Sequence, residues 1–395
     1  MGGKIMRIPA ACCGLLALAL FSTQSAGQQP LFFGDPLPGI SAQDFERFRI
    51  GLEDFLEVED PGEGLGPVFN GRSCAECHSI PAIGGGGSIT EIRAGRRNPD
   101  GSFDPLPGGS LFQLFSIPPH NCQESPPPEA NVIAIRKAIP LFGDGLVEAI
   151  PDETLSGLAD PDDRDGDGVS GRVHWVLDVG TQTIRAGRFG WKAQQATLLT
   201  FGAEAYLEEM GITNELFPLE NAPNGDAERL RFCDPTRALE DVPDLSTGLR
   251  GIDNFEAFLR FLAPPPRGET TDTARQGEQV FARTGCDACH VPVLFTGASA
   301  HPVFDRRPVP LYSDLLLHDI GTGDGIPQGD ALGEEIRTPA LWGLRVRRGL
   351  LHDGSAATIT DAILRHGNEA AFSREQFLAL SEEEAEVLLA FLQSL

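Results

Sequence analysis

Apolar residues recur at helical spacing in several stretches of the chain and predict helices there. The first covers residues 41–58, where Ser41 is the expected N-cap and one face carries Phe45, Phe48, Leu52, Phe55 and Leu56. The same spacing predicts helices over residues 197–210, 249–262, 273–283 and 358–366, and a last helix after Ser381. The pattern therefore predicts a mostly α fold.

Glycine and proline separate these helices. The 46 glycines and 31 prolines indicate long loops, and the four consecutive glycines at residues 84–87 cannot hold a helix. Three prolines at residues 264–266 form a stiff boundary. Because 395 residues are enough for two domains, we expect one over residues 28–265, with a large insertion, and one over residues 266–395.

The N-terminus predicts export. Lys4 and Arg7 precede an apolar run from Ile8 to Phe21, which is too short to span a bilayer. Residues 1–27 are therefore predicted to be a cleaved signal peptide. We expect the mature protein in the periplasm, with no membrane span.

The net charge limits the partners. A formal charge of -26 argues against binding nucleic acid or an anionic membrane surface. This negative charge suits a partner with a basic docking face, although an excess of acidic residues more often keeps a protein soluble.

Two copies of one signature carry the chemistry. Residues 74–78 and 286–290 both read Cys-x-x-Cys-His. In this signature the thiols bond to the vinyl groups of a haem and the histidine binds its iron. We therefore predict two covalent c-type haems. The attachment residues are Cys74, Cys77, Cys286 and Cys289, and the iron ligands are His78 and His290.

A redox dithiol and half of a zinc site are the alternatives for each signature. A redox dithiol leaves the histidine of both copies unexplained. A zinc site needs four ligands in one place, whereas the copies lie far apart in the sequence.

The remaining cysteines predict a disulfide. Cys12 and Cys13 fall inside the export signal, so the haem thiols leave only Cys122 and Cys233. An exported pair with no other role is expected to be oxidised.

An acidic loop is a candidate calcium site. Asp163, Asp165 and Asp167 alternate and are followed by Gly168, as at the start of a calcium loop. His174 stands where an EF-hand has its last glutamate. Bound Ca²⁺ and a solvated acidic turn remain alternatives.

His366 is the expected sixth ligand of the second haem. It follows Ala362 and Ile363 by one helical turn and shares their apolar face. Beyond the export signal Met210 is the single methionine, so at most one haem can have a methionine ligand.

These residues also carry a resemblance. The haem signatures and the spacing from Pro339 through His352 to His366 resemble bacterial di-haem cytochrome c peroxidases and the methylamine dehydrogenase maturation enzyme. Residues 187–193 and 312–319 more closely resemble the di-haem oxidoreductase, putative peroxidase family. The resemblance implies two cytochrome c-like domains, each holding one haem.

The resemblance also implies roles. The haem at Cys74 and Cys77 would be the peroxidatic one, the other haem would receive electrons, and Trp191 would lie between them. Phe201 stands where the peroxidases have a distal glutamine. The nearest match to their distal acid is Glu209, with Glu204 and Glu208 behind it.

Two departures shape the expected chemistry. His366 replaces an axial methionine, so the second haem would be bis-histidine. No histidine matches the removable distal ligand of the first haem, and the next one is His120. The first haem would therefore be open without reductive activation.

The expected reaction is reduction of hydrogen peroxide or a similar small oxidant at the first haem, with Glu209 moving a proton. The electrons would come from a small protein such as a cytochrome or cupredoxin. One alternative is an electron carrier whose first iron is capped by His120, His174, His301 or His318. Another is an oxidant of a partner protein. For His318 and His352 we favour a structural role in hydrogen bonding.

Overall fold

Side-chain caps and apolar stripes define the helices of the computed structural model, which describes residues 1–2, 31–234 and 238–395. The predicted signal peptide, residues 1–27, lies outside the described residues except for its first two. The α-helices are α1 (Ala42–Leu56), α2 (Cys74–Cys77), α3 (Asp144–Glu148), α4 (Asp152–Leu158), α5 (Leu198–Met210), α6 (Ala227–Cys233), α7 (Gly251–Phe261), α8 (Asp272–Arg283), α9 (Ile359–Leu364), α10 (Ala371–Leu378) and α11 (Glu382–Leu392).

Short strands connect the helices. They are β1 (Val68–Phe69), β2 (Thr90–Arg97), β3 (Phe103–Asp104), β4 (Leu111–Phe112), β5 (Phe115–Ser116), β6 (Val132–Lys137), β7 (Trp175–Asp178), β8 (Thr183–Ala186), β9 (Leu294–Phe295), β10 (Pro308–Val309), β11 (Leu317–His318) and β12 (Ile336–Arg337). The largest sheet has β2 at its centre, paired antiparallel with β3, β4 and β6. The other strands form antiparallel pairs.

The predicted helices are all present. Hydroxyl caps begin five of them, because a serine or threonine side chain accepts a hydrogen bond from a backbone N–H group in the first turn. The capping residues are Ser41, Thr197, Thr271, Thr358 and Ser381. The apolar face of α1 is narrower than predicted, since Phe45 and Leu56 are exposed. The buried face of α1 meets α7, where Phe48 and Phe55 both pack on Phe258.

The expectation of a mostly α chain is corrected by the strands. Of the described residues, 30% are helical and 14% lie in strands. The strand β6 shows why sequence patterning missed this. Its Ile133 and Ile135 are exposed, whereas Ala134 and Arg136 are buried, so both isoleucines face outward. Most other strands have only two residues, which is too short for an alternating pattern.

Two hydrophobic cores support the two signatures. The larger one gathers residues from α1, α5 and α7, including Phe55, Leu198 and Phe258. The smaller one joins α8 to α11 through Phe281 and Phe391. Residues Leu31–Leu395 form one compact unit, and the division between residues 265 and 266 stays a prediction.

The predicted disulfide between Cys122 and Cys233 is confirmed. It is buried and joins α6 to the segment between β5 and β6. Within the part of the chain that the structure describes, every helix is too short or too polar to cross a membrane.

Candidate functional site

The first signature lines a cavity of about 320 Å³. Ser73 caps α2, so Cys74 and Cys77 stand one turn apart and His78 ends the helix. The glycine loop passes directly beside it, because a Cβ at Gly87 would lie 2.3 Å from the carbonyl oxygen of Cys77. Residues 84–87 therefore allow backbone to approach the signature closely.

The second signature lines a cavity of about 240 Å³. Cys286, Cys289 and His290 lie on one of its sides, following α8. His366 also lines this cavity, immediately after α9. The structure thus brings together the two imidazoles that the sequence assigns to the second haem. Their binding to iron stays a prediction.

All three candidate iron ligands are held in the same tautomer by a backbone carbonyl. Their Nδ1 atoms donate to backbone carbonyls: His78 to Gly85 at 2.9 Å, His290 to Tyr312 at 3.0 Å and His366 to Ala362 at 2.8 Å. A carbonyl only accepts, so the hydrogen of the neutral ring is on Nδ1 and Nε2 keeps a lone pair for a metal.

Burial keeps these rings neutral. It lowers the pKa of His78 to about 4. It also lowers the pKa of His290 to about 4, with His366 nearby adding to the effect, and lowers the pKa of His366 itself. Neutral imidazole is the form that binds iron, so the three rings are prepared as ligands.

The cysteines fit thioether attachment better than redox chemistry. All four signature cysteines are free of disulfides. Burial raises the pKa of Cys74 and Cys77 to about 12 and raises the pKa of Cys286 and Cys289. A redox dithiol needs a lowered pKa instead. The donor set and the two apolar cavities therefore fit two haems.

A shared wall separates the two cavities. Trp191 and residues 137–139 line both of them. The indole Nε1 of Trp191 donates to the carbonyl of Lys137 at 2.8 Å, and the backbone N–H of Arg337 donates to the carbonyl of Trp191 at 2.8 Å. Trp191 is thus fixed in the wall between the two cavities, and its role between two haems stays a prediction.

Three glutamates of α5 line the first cavity, namely Glu204, Glu208 and Glu209. Burial raises the pKa of Glu209 to about 8 and that of Glu208 to about 7, and it also raises the pKa of Glu204. Asn70 Nδ2 donates to Oε2 of Glu209 at 2.7 Å and holds this carboxyl in place. The cavity therefore contains carboxyl groups that can exchange protons near neutral pH.

Two further residues limit what the first cavity can do. Phe201 lines it and stacks on Phe189, with ring centroids 5.6 Å apart, so an apolar ring lines the cavity at the residue that the resemblance matched to a glutamine. Met210 lines the same cavity and carries a thioether, which is a possible axial ligand of haem iron.

The alternative histidine caps lie elsewhere. Among the described lining residues of the first cavity, His78 is the one imidazole. His174 is bonded to backbone at both ring nitrogens, through Lys192 O and Asp330 N. His301 contacts Asp44, and His120 packs against the ring of Phe232.

His318 and His352 line the second cavity. Both nitrogens of His318 contact carboxylates, with Asp314 at 2.8 Å and Glu369 at 2.9 Å. Hydrogen bonds to these partners raise the pKa of His318 to about 12 against its burial, which favours the protonated ring over a metal ligand. His352 packs edge-on against Trp191 at 6.2 Å. His318 therefore has a structural role, because it joins Asp314 and Glu369 through hydrogen bonds.

The acidic loop has a partly assembled geometry. Oxygens of Asp163, Asp165 and Asp167 lie within 4.8 Å of one another, on an exposed loop. Each carboxylate also accepts a backbone N–H of the loop, from Gly168, Asp167 and Val169 respectively. These bonds shape the turn without an ion, and calcium binding stays a prediction.

Sequence reasoning missed the charged groups beside the cavities. Glu91 and Arg93 pair at 2.9 Å in the wall of the first cavity, and the buried Arg136 pairs with Asp324 at 2.6 Å. Arg337 and Arg347 line the second cavity. The signal that could have shown Arg136 is its place in an otherwise apolar strand, where a charged residue needs a partner.

The chain is similar to known haem proteins. The family model described as di-haem oxidoreductase, putative peroxidase, matches residues 128–395. Comparison with curated proteins gave no match. Among solved structures, hydrazine synthase from Kuenenia stuttgartiensis is 16% identical, covers 100% of both chains and has a TM-score of 0.40.

Two further solved structures are similar to the chain. A MauG-like protein associated with microbial copper homeostasis is 17% identical over 93% of this chain and 94% of its own, with a TM-score of 0.41. The diheme peroxidase BthA from Burkholderia thailandensis is 16% identical over 91% of this chain and 86% of its own, with a TM-score of 0.39.

Proposed function

Because the chain belongs to the di-haem oxidoreductase, putative peroxidase family, we propose that it reduces hydrogen peroxide or a similar small oxidant in the periplasm. The reaction takes place in the first cavity, where a haem is attached to Cys74 and Cys77 and bound by His78. Electrons enter through a second haem bound by His290 and His366.

The unequal cavities carry this proposal. The second is lined by the two imidazoles His290 and His366, each with a lone pair on Nε2. The first offers one imidazole among its described lining residues, together with three buried glutamates. One site is therefore suited to electron transfer and the other to binding a small molecule beside a proton donor.

Glu209 is the proposed proton-transfer residue. When bound, the haem iron supplies the position where peroxide binds and the electrons that the O–O bond takes up. The carboxylate of Glu209, held through Oε2 by Asn70, accepts the proton from one peroxide oxygen and donates it to the other. Glu208, with its pKa raised to about 7, resupplies protons to Glu209.

Trp191 is the proposed link between the two sites. Its ring lies in the wall shared by both cavities, and the bond to Lys137 fixes its orientation. An aromatic ring at this position shortens the path between two electron carriers.

A small electron-donor protein, such as a cytochrome or cupredoxin, is the proposed partner. The net charge of -26 favours a donor with a basic docking face. We expect its reaction rate to fall steeply as the salt concentration rises.

The spectra of the exported protein test this function. Pyridine haemochrome should give two haems per chain, and EPR of the oxidised protein should show one high-spin and one low-spin iron. Peroxide should be consumed with a dye reductant. Two low-spin signals together with no peroxide turnover would overturn the proposal.

Met210 supports one second candidate, an electron carrier without catalysis. Met210 lines the first cavity together with His78, so its thioether would be a second ligand for the iron of a haem bound there. In that case the wild type shows two low-spin haems, and Met210→Leu converts one of them to high spin. If the wild type already has a high-spin haem, the carrier is excluded.

A further inference from the structure

The second cavity is electropositive, although the whole chain is strongly acidic. Its described lining contains five basic residues, Lys137, Arg337, Arg347, Arg348 and Arg374, and one carboxylate, Glu369. That carboxylate is already occupied, because it accepts from Asp319 N and Ser170 N and contacts His318 Nδ1. A chain with a net charge of -26 has therefore gathered lysine and arginine side chains around this cavity.

Arg347 is the least satisfied of these cations. Its Nη2 donates to the backbone carbonyls of Ala340 and Trp342. Its Nε is buried and has no hydrogen-bond partner. Among the described residues, Arg347 takes part in no ion pair. A buried guanidinium N–H without an acceptor is costly, so an acceptor is missing from this position.

Arg337 adds a second charge beside it. Its Nε donates to Gly190 O at 2.8 Å and its Nη1 to Thr338 O at 3.3 Å, both of them neutral acceptors. Burial lowers the pKa of both Arg337 and Arg347 to about 10, and repulsion from Arg337 contributes at Arg347. The carboxylates of Asp144 and Asp314 act on Arg337 and raise its pKa against burial, whereas the charged neighbour that acts on Arg347 is the repelling Arg337. Arg347 is therefore the buried cation that an anion entering the cavity would balance.

We propose that Arg347, with Arg337 beside it, binds a propionate carboxylate of the haem in the second cavity. This inference rests on the proposed function, because it assumes a haem attached to Cys286 and Cys289. A carboxylate matches the planar fork of a guanidinium, and a haem brings two carboxylates on one edge.

The test compares two neighbouring arginines. Arg347→Gln removes the charge from the cavity. Arg345→Gln is a matched control, because Arg345 also has an unpartnered buried Nε but lies outside the cavity lining, over the ring of Phe33. Both proteins are exported with haem, and haem content is measured first. Resonance Raman spectra then report the propionate bending band of the low-spin haem, and potentiometry reports its midpoint potential.

Arg347→Gln should shift the propionate band and lower the midpoint potential of the low-spin haem, since a positive charge stabilises the reduced state. Arg345→Gln should leave both unchanged. Arg347→Lys should keep the potential close to that of the wild type but still shift the band, because an ammonium lacks the planar fork. If Arg347→Gln does not fold, Arg347→Lys decides through the same band.

An unchanged propionate band in a variant that retains two haems overturns the propionate contact and leaves the proposed function standing. A wild-type protein with fewer than two haems overturns both. These two failures are separated by the haem content alone.

Discussion

At the scale of single residues, Glu209 is the group on which the proposed chemistry depends. Its carboxyl lies in the first cavity, is fixed by Asn70 and has a pKa raised to about 8 by burial. We expect Glu209→Gln to lower kcat/KM for peroxide about 100-fold or more, because an amide cannot accept the proton. In the wild type, kcat/KM should rise with pH until the carboxyl is ionised, and this rise should disappear in the variant.

A matched carboxyl outside the cavity serves as the control for this loss. Burial also raises the pKa of Glu220 to about 8, yet Glu220 is not among the residues that line the first cavity. Steady-state turnover by Glu220→Gln should match the wild type. Equal loss in both variants would assign the effect to altered folding and not to proton transfer.

The carboxyl of Glu209 also makes the stability of the protein depend on pH. Its folded-state pKa lies above the ordinary value of 4.5, so at neutral pH the folded chain binds a proton that the unfolded chain has lost. The stability that this provides is complete below the unfolded pKa and is lost as pH rises through the folded pKa. Glu209→Gln should therefore unfold like the wild type at about pH 4 and be more stable than the wild type at about pH 9, by up to roughly 5 kcal/mol.

Urea unfolding at both pH values measures this difference. Glu386→Gln is the control, since Glu386 is exposed on α11 and should show no such dependence. A constant difference between wild type and Glu209→Gln at all pH values would contradict the raised pKa.

Trp191 is a residue whose role can be separated from its packing. Trp191→Phe keeps an aromatic ring but removes the hydrogen bond to Lys137. We expect oxidation of the low-spin haem after mixing with peroxide to slow on the order of tenfold, corresponding to ~1.4 kcal/mol. Stopped-flow absorbance measures this rate. The exposed Trp175 provides Trp175→Phe as a control, and an unchanged rate in Trp191→Phe would remove the indole from the electron path.

At the scale of elements, the sequence predicted helices better than strands for a physical reason. A helix such as α11 carries its own start signal, Ser381, and an apolar stripe long enough to recognise. The central pair β2–β6 depends on partners distant in sequence, and Arg136 is buried there through contact with Asp324. Local patterns contain no information on such partners.

The same distinction holds for the candidate sites. The signatures at residues 74–78 and 286–290 and the turn at His366 are local, so spacing alone located them. Whether His290 and His366 share a cavity, or Trp191 lies between two cavities, is set by chain crossings that spacing does not determine. The resemblance supplied these placements. No feature of the sequence indicated that Nε of Arg347 is buried without a hydrogen-bond partner.

The disulfide is the element whose removal has the clearest expected cost. Cys122 and Cys233 are 111 positions apart, and the bond holds α6 to the segment before β6. Cys122→Ala with Cys233→Ala should lower the free energy of unfolding by about 3 kcal/mol, because the unfolded chain gains freedom. Urea unfolding measures it. Dithiothreitol should bring the wild type to the same value, since thiols reduce the disulfide but not the haem thioethers. If the double variant has the same free energy of unfolding as the wild type, the disulfide does not contribute to stability.

At the scale of the whole molecule, haem is expected to act as part of the core. The cavity of about 240 Å³ beside the second signature adjoins the small core of Phe281 and Phe391, which joins α8 to α11. Without haem this space has no apolar filling. Taking ~24 cal/mol per Å³, an unfilled cavity of this size costs on the order of 5 kcal/mol, which water entry reduces. The helices α8 and α11 should therefore depend on the second haem more than α1 and α7 do.

Removing one attachment site tests that dependence. Cys286→Ala with Cys289→Ala should yield a chain with one haem, a lower thermal midpoint and faster amide hydrogen exchange in α8 and α11. Exchange in α1 and α7 should change little, because Phe55 and Phe258 pack in the other core. The reciprocal variant, Cys74→Ala with Cys77→Ala, should reverse the pattern. Uniform exchange across all four helices in both variants would mean that the two cores unfold as one unit, and the division predicted near residue 265 would then have no energetic basis.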